Sequence, residues 1–273
     1  MPFINLPDDS ELFYRTEGQG EPVVFISGLN GKASFWDEQL AFFSRYFQVI
    51  AFDQRGSGRS SNKAQSCETL ERLTNDAVTL MDWLGIEAAH IIGHSLGGVI
   101  AQSLTSRYPE RIKSVVLSAT WVKPDDRLKR IFQARQSFLK TSGGQAFLRY
   151  NPMYLYPYWW IQSHPQLLSN PESPDPSQVK LCLERMGIIM EADNLENAAS
   201  IRCPALVLSA QDDLLIPPAM GDEAAHSLQH SHRHVFTKGG HYYPVVMAKA
   251  FNQVVMDFLN NLNNLCPMQR LNH

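Results

Sequence analysis

Six short β-rich runs are spaced along the chain, at Val23 to Ile26, Val49 to Phe52, His90 to Ile92, Val115 to Leu117, Ala205 to Leu208 and Arg233 to Phe236. Most are apolar without alternation, so neither face can be left to water. That suits strands covered on both sides, the condition of a parallel sheet. Stretches with helical spacing separate them. Leu70 to Trp83 sets Leu73, Ala77, Leu80 and Met81 on one face, continued by Leu84, and Gly85 ends it. Phe251 to Leu262 repeats the pattern with Val254, Val255, Phe258 and Leu262. Strand alternating with helix predicts an α/β protein, a mostly parallel central sheet with helices on both faces. Leu12 to Thr16 alternates more and is expected to form an antiparallel edge hairpin with the strand that follows it.

The alternation breaks once. From Trp121 to Ser200 the patterns are helical, and prolines punctuate the stretch at Asn151-Pro152, His164-Pro165 and Asn170-Pro171. The simplest organisation is a core formed by 1–120 and 201–273, with 121–200 inserted as a helical cap. The tail from Asn260 to His273 is rich in asparagine and is expected to fray.

Charge and composition exclude several functions. The 24 Lys and Arg against 27 Asp and Glu leave a net charge of -3, without the basic excess that nucleic-acid binding needs. No apolar run approaches the ~20 residues of a membrane span. The start, MPFINLPDDSEL, lacks a positive segment followed by an apolar core, so a cytoplasmic protein is expected. Cys67, Cys182, Cys203 and Cys266 are scattered without paired spacing, which argues against a metal cluster or a disulfide framework. No metal and no organic cofactor are expected, and a homodimer is left open.

The chemistry begins at Gly93-His94-Ser95-Leu96-Gly97-Gly98, directly after one buried run and at the start of a helical one. A serine there sits on a tight strand-to-helix turn, where any Cβ at Gly93 or Gly97 would collide with sheet or helix. The free N–H groups of the helix start face negative charge developing on a substrate. A hydroxyl nucleophile needs a base, and the base needs an orienter. Asp212 and Asp213 follow the Ala205 to Leu208 run, and His241 follows the last run, each at a strand's C-terminal end, where open α/β sheets build their sites. The pattern small-x-x-Asp-x-x-x-Pro fits Ala210, Asp213 and Pro217, which selects Asp213 as orienter and leaves Asp212 as a turn or capping residue. The backbone N–H groups of Leu96 and Leu29 are the candidate oxyanion donors. His94 is expected to pack beside the turn, and most of His226, His230, His232 and His234 to lie on a solvated surface.

Together these residues resemble the α/β-hydrolase family over nearly the whole chain. Asp53-Gln54-Arg55-Gly56-Ser57-Gly58-Arg59-Ser60 matches the family's D-x-R-G-x-G-x-S turn, read here as structural. The resemblance implies the α/β-hydrolase fold with an inserted cap, and the chain order serine, acid, histidine. Among branches it looks most like the aminoacrylate hydrolases of pyrimidine degradation, then the 3-oxoadipate enol-lactonases. The segments that carry this are ISGLNGKASFW, FDQRGSG, TSGGQAFL, YLYP, IRCPALVLSAQDDLLIP and GGHYYPVV. One departure is Ser27-Gly28, where many relatives have His-Gly. A serine nucleophile sets aside the family's epoxide hydrolases and dehalogenases, which attack with aspartate. What remains is acyl chemistry on an ester, lactone, amide or carbamate, hydrolysis of an activated C–C bond, or a non-catalytic receptor on the same fold. The stretch Tyr150 to Trp160 packs six large aromatics into the cap. Trp121, Tyr154 and Trp159 are the candidates to contact a small-molecule substrate with an apolar or planar part.

Overall fold

The computed structural model describes residues 2–29, 31–63 and 67–262. The strands are β1 (Phe3–Asn5), β2 (Glu11–Glu17), β3 (Pro22–Ile26), β4 (Gln48–Phe52), β5 (Ala89–His94), β6 (Ile112–Ser118), β7 (Ala205–Ala210) and β8 (Ser231–Phe236). They form one sheet in the order β1-β2-β4-β3-β5-β6-β7-β8. β4, β3, β5, β6, β7 and β8 run parallel. Every residue of β5 and β7 is buried, as continuous apolar runs require.

The strand at Leu12 to Thr16 departs from expectation in its partner. β2 is antiparallel, but it pairs with β4 rather than with β3, with Tyr14 opposite Phe52. It is not the sheet edge either, because β1 adds outside it with Phe3 opposite Phe13. β3 is drawn between β4 and β5, where Val23, Val24, Phe25 and Ile26 are all covered. A three-residue β1 is too short to leave a periodic signature.

Helices α1 (Asp37–Phe43), α2 (Leu70–Trp83) and α3 (Leu96–Arg107) connect the first strands. Thr69 caps α2, accepting the Arg72 N–H at 3.1 Å. Between β6 and β7 the chain makes helices alone: α4 (Asp126–Tyr150, broken at Gly143), α5 (Pro152–Leu155), α6 (Tyr158–Ser163), α7 (Pro176–Glu191) and α8 (Leu195–Ser200). After β7 come α9 (Pro218–Ser227), α10 (Tyr243–Val246) and α11 (Ala248–Asn260). α2 packs on α3, and α1 packs on α11, in two layers that cover the two faces of the sheet. No helix of the described residues is long and apolar enough to cross a membrane. Residues 263–273, most of the tail expected to fray, lie outside the described residues.

The turn after β4 is a brace, as the sequence pattern implied. Asp53 accepts the N–H groups of Ala33 (2.7 Å) and Arg59 (2.8 Å), and buried Arg55 pairs with Asp76 at 2.6 Å and with Asp8. Beside it, the helical insert meets the core through a second buried pair, Arg185 of α7 and Glu68, whose charged atoms lie 3.8 Å apart. Burial pushes the Glu68 carboxyl up to about 7, against the pull of Arg185, Arg55 and Arg72, and Asp76 adds to the rise. The native chain therefore holds a proton at Glu68 that the unfolded chain has released between its ordinary value near 4.5 and about 7. Stability from this group is present at lower pH and is lost as pH rises through that window. Thermal melts from pH 5 to 8 should show Glu68→Gln losing less stability over this range than wild type. Parallel curves would show that Glu68 does not titrate there.

Candidate active site

Ser95 sits between β5 and α3 with φ 55° and ψ -120°, a backbone conformation that side-chain-bearing residues rarely adopt. The surroundings hold it there. Its N–H donates to the Ser118 carbonyl of β6 at 2.8 Å, and its own carbonyl accepts from Gly98 at 2.9 Å. A Cβ at Gly93 would lie 2.3 Å from the Gly97 carbonyl oxygen, and one at Gly97 would lie 2.1 Å from that of Ile26. The strand and the helix thus touch backbone to backbone around the serine. His94 packs beside this turn as expected. Its ring stacks on Phe35 at 4.8 Å, Nδ1 meets Ser118 Oγ at 3.0 Å, and burial drives its basicity well down.

The structure brings His241 and Asp213 together from the ends of β8 and β7. His241 Nδ1 lies 2.8 Å from Asp213 Oδ2, and both side chains are buried. The carboxylate accepts, so Nδ1 carries the proton and Nε2 is left as the basic nitrogen. The other oxygen, Oδ1, accepts the N–H groups of Leu215 (2.8 Å) and Ile216 (2.9 Å), which fixes the carboxylate plane. Asp212 faces elsewhere. It accepts from Gly239 at 3.1 Å and Gly240 at 2.8 Å, bracing the loop that carries His241. Gly239 and Gly240 both have positive φ, which lets that loop turn back toward the serine.

Leu96 opens α3, so its N–H is one of those that have no acceptor inside the helix. On the other side, a Cβ at Gly28 would lie 3.1 Å from Ser95 Cβ, so the loop after β3 rests against the serine. The Gly28 carbonyl accepts from Gly31 N–H at 3.0 Å. In a trans peptide the adjoining Leu29 N–H points the opposite way, out of that turn. Ser95, His241, Leu29, Phe35, Tyr156 and Arg135 line one cavity of about 270 Å³.

None of the three aromatic candidates lies along that cavity. Trp121 is 1% exposed and packed in the core, its carbonyl taken by Gln102 at 2.9 Å. Trp159 is partly exposed, with Lys238 over its ring at 4.9 Å. Tyr154 lines a neighbouring cavity that shares Arg135 and Asn151 with the first. Within the aromatic stretch Tyr150 to Trp160 it is Tyr156 that reaches the cavity, because the Leu155 carbonyl accepts the Tyr242 N–H at 2.9 Å and pins this stretch beside His241.

Arg135 is the functional candidate that the sequence reading missed. It is 5% exposed; Nη2 donates to Asn151 at 2.7 Å, while among the described residues Nε and Nη1 have no hydrogen-bond partner. Rings of Phe132, Phe147 and Tyr154 surround the guanidinium at 5.0–5.4 Å. Burial makes the charge costly and lowers its basicity. The signal was present: Arg135 falls on the buried stripe Leu128, Phe132, Arg135, Leu139 of α4, where a cation has no solvent.

Comparison with known proteins agrees with this fold. The model of the alpha/beta hydrolase fold matches residues 21–146. The protein named "Putative carbamate hydrolase RutD" in Caulobacter sp. (strain K31) is 32% identical over 246 residues, 88% of this chain and 91% of its own length. Its namesake in Variovorax paradoxus (strain S110) is 33% identical, over 91% of this chain and 96% of that one. The chain belongs to the α/β-hydrolase family. As a member it is a hydrolase. Among solved structures, the enol-lactonase from Burkholderia xenovorans LB400 superposes with a TM-score of 0.86 at 28% identity, covering 95% of this α/β-hydrolase and all of that chain.

The two aspartates should separate by spectroscopy as well as by position. Asp213→Asn should abolish the low-field proton resonance of a carboxylate-bonded His241 Nδ1–H, and Asp212→Asn should retain it. Asp212→Asn should instead lower the melting temperature, since one of two buried N–H acceptors becomes a donor, at about 1–3 kcal/mol. Loss of the resonance in the Asp212 variant would reverse the assignment.

Proposed function

We propose that the chain hydrolyses a small-molecule ester, lactone, amide or carbamate through an acyl-enzyme on Ser95, with His241 as base and Asp213 as its orienter. The observation that carries this reading is the 2.8 Å His241–Asp213 bond at the wall of the cavity that holds the strained Ser95. His241 Nε2 takes the Ser95 proton as Oγ attacks the carbonyl carbon. The N–H groups of Leu96 and Leu29 hold the negative oxygen of the tetrahedral intermediate. His241 returns the proton to the departing oxygen or nitrogen, and water then repeats the sequence on the acyl group. The relatives' printed names, a carbamate hydrolase and an enol-lactonase, fall within this range of bonds.

The cavity wall also favours one kind of substrate. Among the described residues no carboxylate pairs with Arg135, and an unpaired buried cation costs several kcal/mol. A substrate carboxylate would satisfy Nε and Nη1 while the scissile carbonyl sits at Ser95. Lys32, which also lines the cavity, adds positive charge. The reading is therefore a hydrolase for small anionic acyl compounds, with Phe35 and Tyr156 contacting the apolar part.

Two measurements test this. Ser95→Ala should fold normally and lose at least about a thousandfold in turnover, as removal of a triad nucleophile does; near-wild-type turnover would end the serine mechanism. Arg135→Met should raise KM by about 10–100-fold for an ester bearing a free carboxylate, the worth of a charged hydrogen bond, and leave a neutral ester of equal length unchanged. Its melting temperature should hold or rise, because a buried unpaired charge has been removed. Equal losses on both esters would remove the anion from the reading.

A further inference from the structure

The loop that carries Leu29 is held by the core at three points. Gln54 Nε2 donates to the Ser27 carbonyl at 2.6 Å, Gln54 N–H donates to the Gly31 carbonyl at 2.6 Å, and Asp53 accepts Ala33 N–H at 2.7 Å. A further contact comes from the helical insert. Arg185 of α7 donates from Nη1 to the Leu29 carbonyl at 3.2 Å and to Ser57 Oγ at 2.8 Å, and from Nη2 to the Arg55 carbonyl at 2.8 Å. One guanidinium thus joins the Leu29 loop to the turn after β4, and it is 1% exposed.

The seat for this side chain is shaped by glycine. Gly31 has φ +64°, and a Cβ there would lie 2.7 Å from Arg185 Nη1; Gly56 has φ +70°, and its Cβ would lie 2.8 Å from Leu181 on the same helix. Glu68 stands near without a hydrogen bond: it lies 3.8 Å from Nη2, and among the described residues neither carboxyl oxygen has a hydrogen-bond partner. Orientation therefore comes from three oxygen acceptors on the core, and the planar fork of an arginine can span them where an ammonium cannot.

We propose that Arg185 is a positioning residue: by holding the Leu29 carbonyl and the turn after β4 together it steadies the tight turn whose first peptide presents the Leu29 N–H, so the oxyanion site is complete only when α7 is seated on the core. The two peptide planes flanking Leu29 are pinned from opposite sides. The one before it is tied by the Gly28–Gly31 bond and the one after it by Arg185. Release of the second removes the insert's hold on this turn; a shift of the turn carries the Leu29 N–H with it, and a donor displaced by about 1 Å can cost a hundredfold in rate. The insert then controls the chemistry through the backbone, without placing a catalytic group of its own at the serine. This inference rests on the acyl-enzyme reading above.

The test uses the full chain, a neutral p-nitrophenyl ester, and phenylboronic acid as a tetrahedral oxyanion mimic, with fluorophosphonate labelling of Ser95 as the first step. An unlabelled wild type would overturn both the acyl-enzyme reading and this inference. With wild type labelled, Arg185→Gln should lower kcat about 10–100-fold, change KM less than about threefold, and weaken boronate binding by the same factor as kcat. Arg185→Lys keeps the charge opposite Glu68 and covers the case in which the neutral variant does not fold; it should show the same split. Glu68→Gln leaves the three hydrogen bonds in place and should stay within about threefold of wild-type kcat. A folded Arg185 variant with normal kcat and boronate affinity would overturn the proposal alone. So would a loss in Glu68→Gln equal to that in Arg185→Gln, since the ion pair and not the hold on Leu29 would then be responsible.

Discussion

The site depends on a strained backbone at Ser95. A residue at φ 55° and ψ -120° costs of order 1–3 kcal/mol, so it persists only where its neighbours leave no alternative. Here β5 and α3 approach so closely that Gly93 and Gly97 have no room for a Cβ. The Ser118 carbonyl on the adjacent strand takes the serine N–H. The turn sets Ser95 at the wall of the cavity, at the point where α3 begins. Burial of β5 and of nearly all of α3 supplies the packing energy that keeps the turn closed.

Each remaining piece is attached to that point by a brace that does not itself touch the cavity. Asp212 holds the glycine loop before His241, Gln54 and Asp53 hold the Leu29 loop, and Gln102 and Asn194 tie the insert to α3. Gln54, Asp53, Gln102 and Asn194 are buried and Asp212 partly so, and each hydrogen bond is kept because its loss would strand a polar atom away from water. Two arginines of the insert stand apart. Arg185 spends Nη1 and Nη2 on the core, and only its Nε lacks an acceptor among the described residues, whereas Arg135 leaves both Nε and Nη1 without one at the cavity wall. The same residue type, on the same kind of buried helical stripe, serves attachment in one case and is open to a ligand in the other.

Much of the fold was legible because its signals are local. Buried strands, the amphipathic α2 and α11, the glycine turn at Ser95 and the helical run between β6 and β7 all rest on periodicity or on steric limits within a few residues. The pattern ending at Pro217 likewise separated Asp213 from Asp212 before any distance was known, because spacing within one loop reports which carboxylate turns inward. Strand pairing was less accessible. β2 pairs with β4 because both edges of β3 are taken by β4 and β5, a competition that no single segment records.

The sequence by itself determined the class of fold and set Ser95, Asp213 and His241 after the ends of three strands. Only the tertiary structure decided what surrounds them. Trp121, Tyr154 and Trp159 are as aromatic as Tyr156, yet the backbone bond between Leu155 and Tyr242 brings Tyr156 to the cavity. Arg135 and Arg185 are both buried cations on helices, and their difference lies in which acceptors the core offers within reach. Periodicity states which face of an element is covered. It does not state by what, because that depends on loops more than a hundred residues apart meeting at one edge of the sheet.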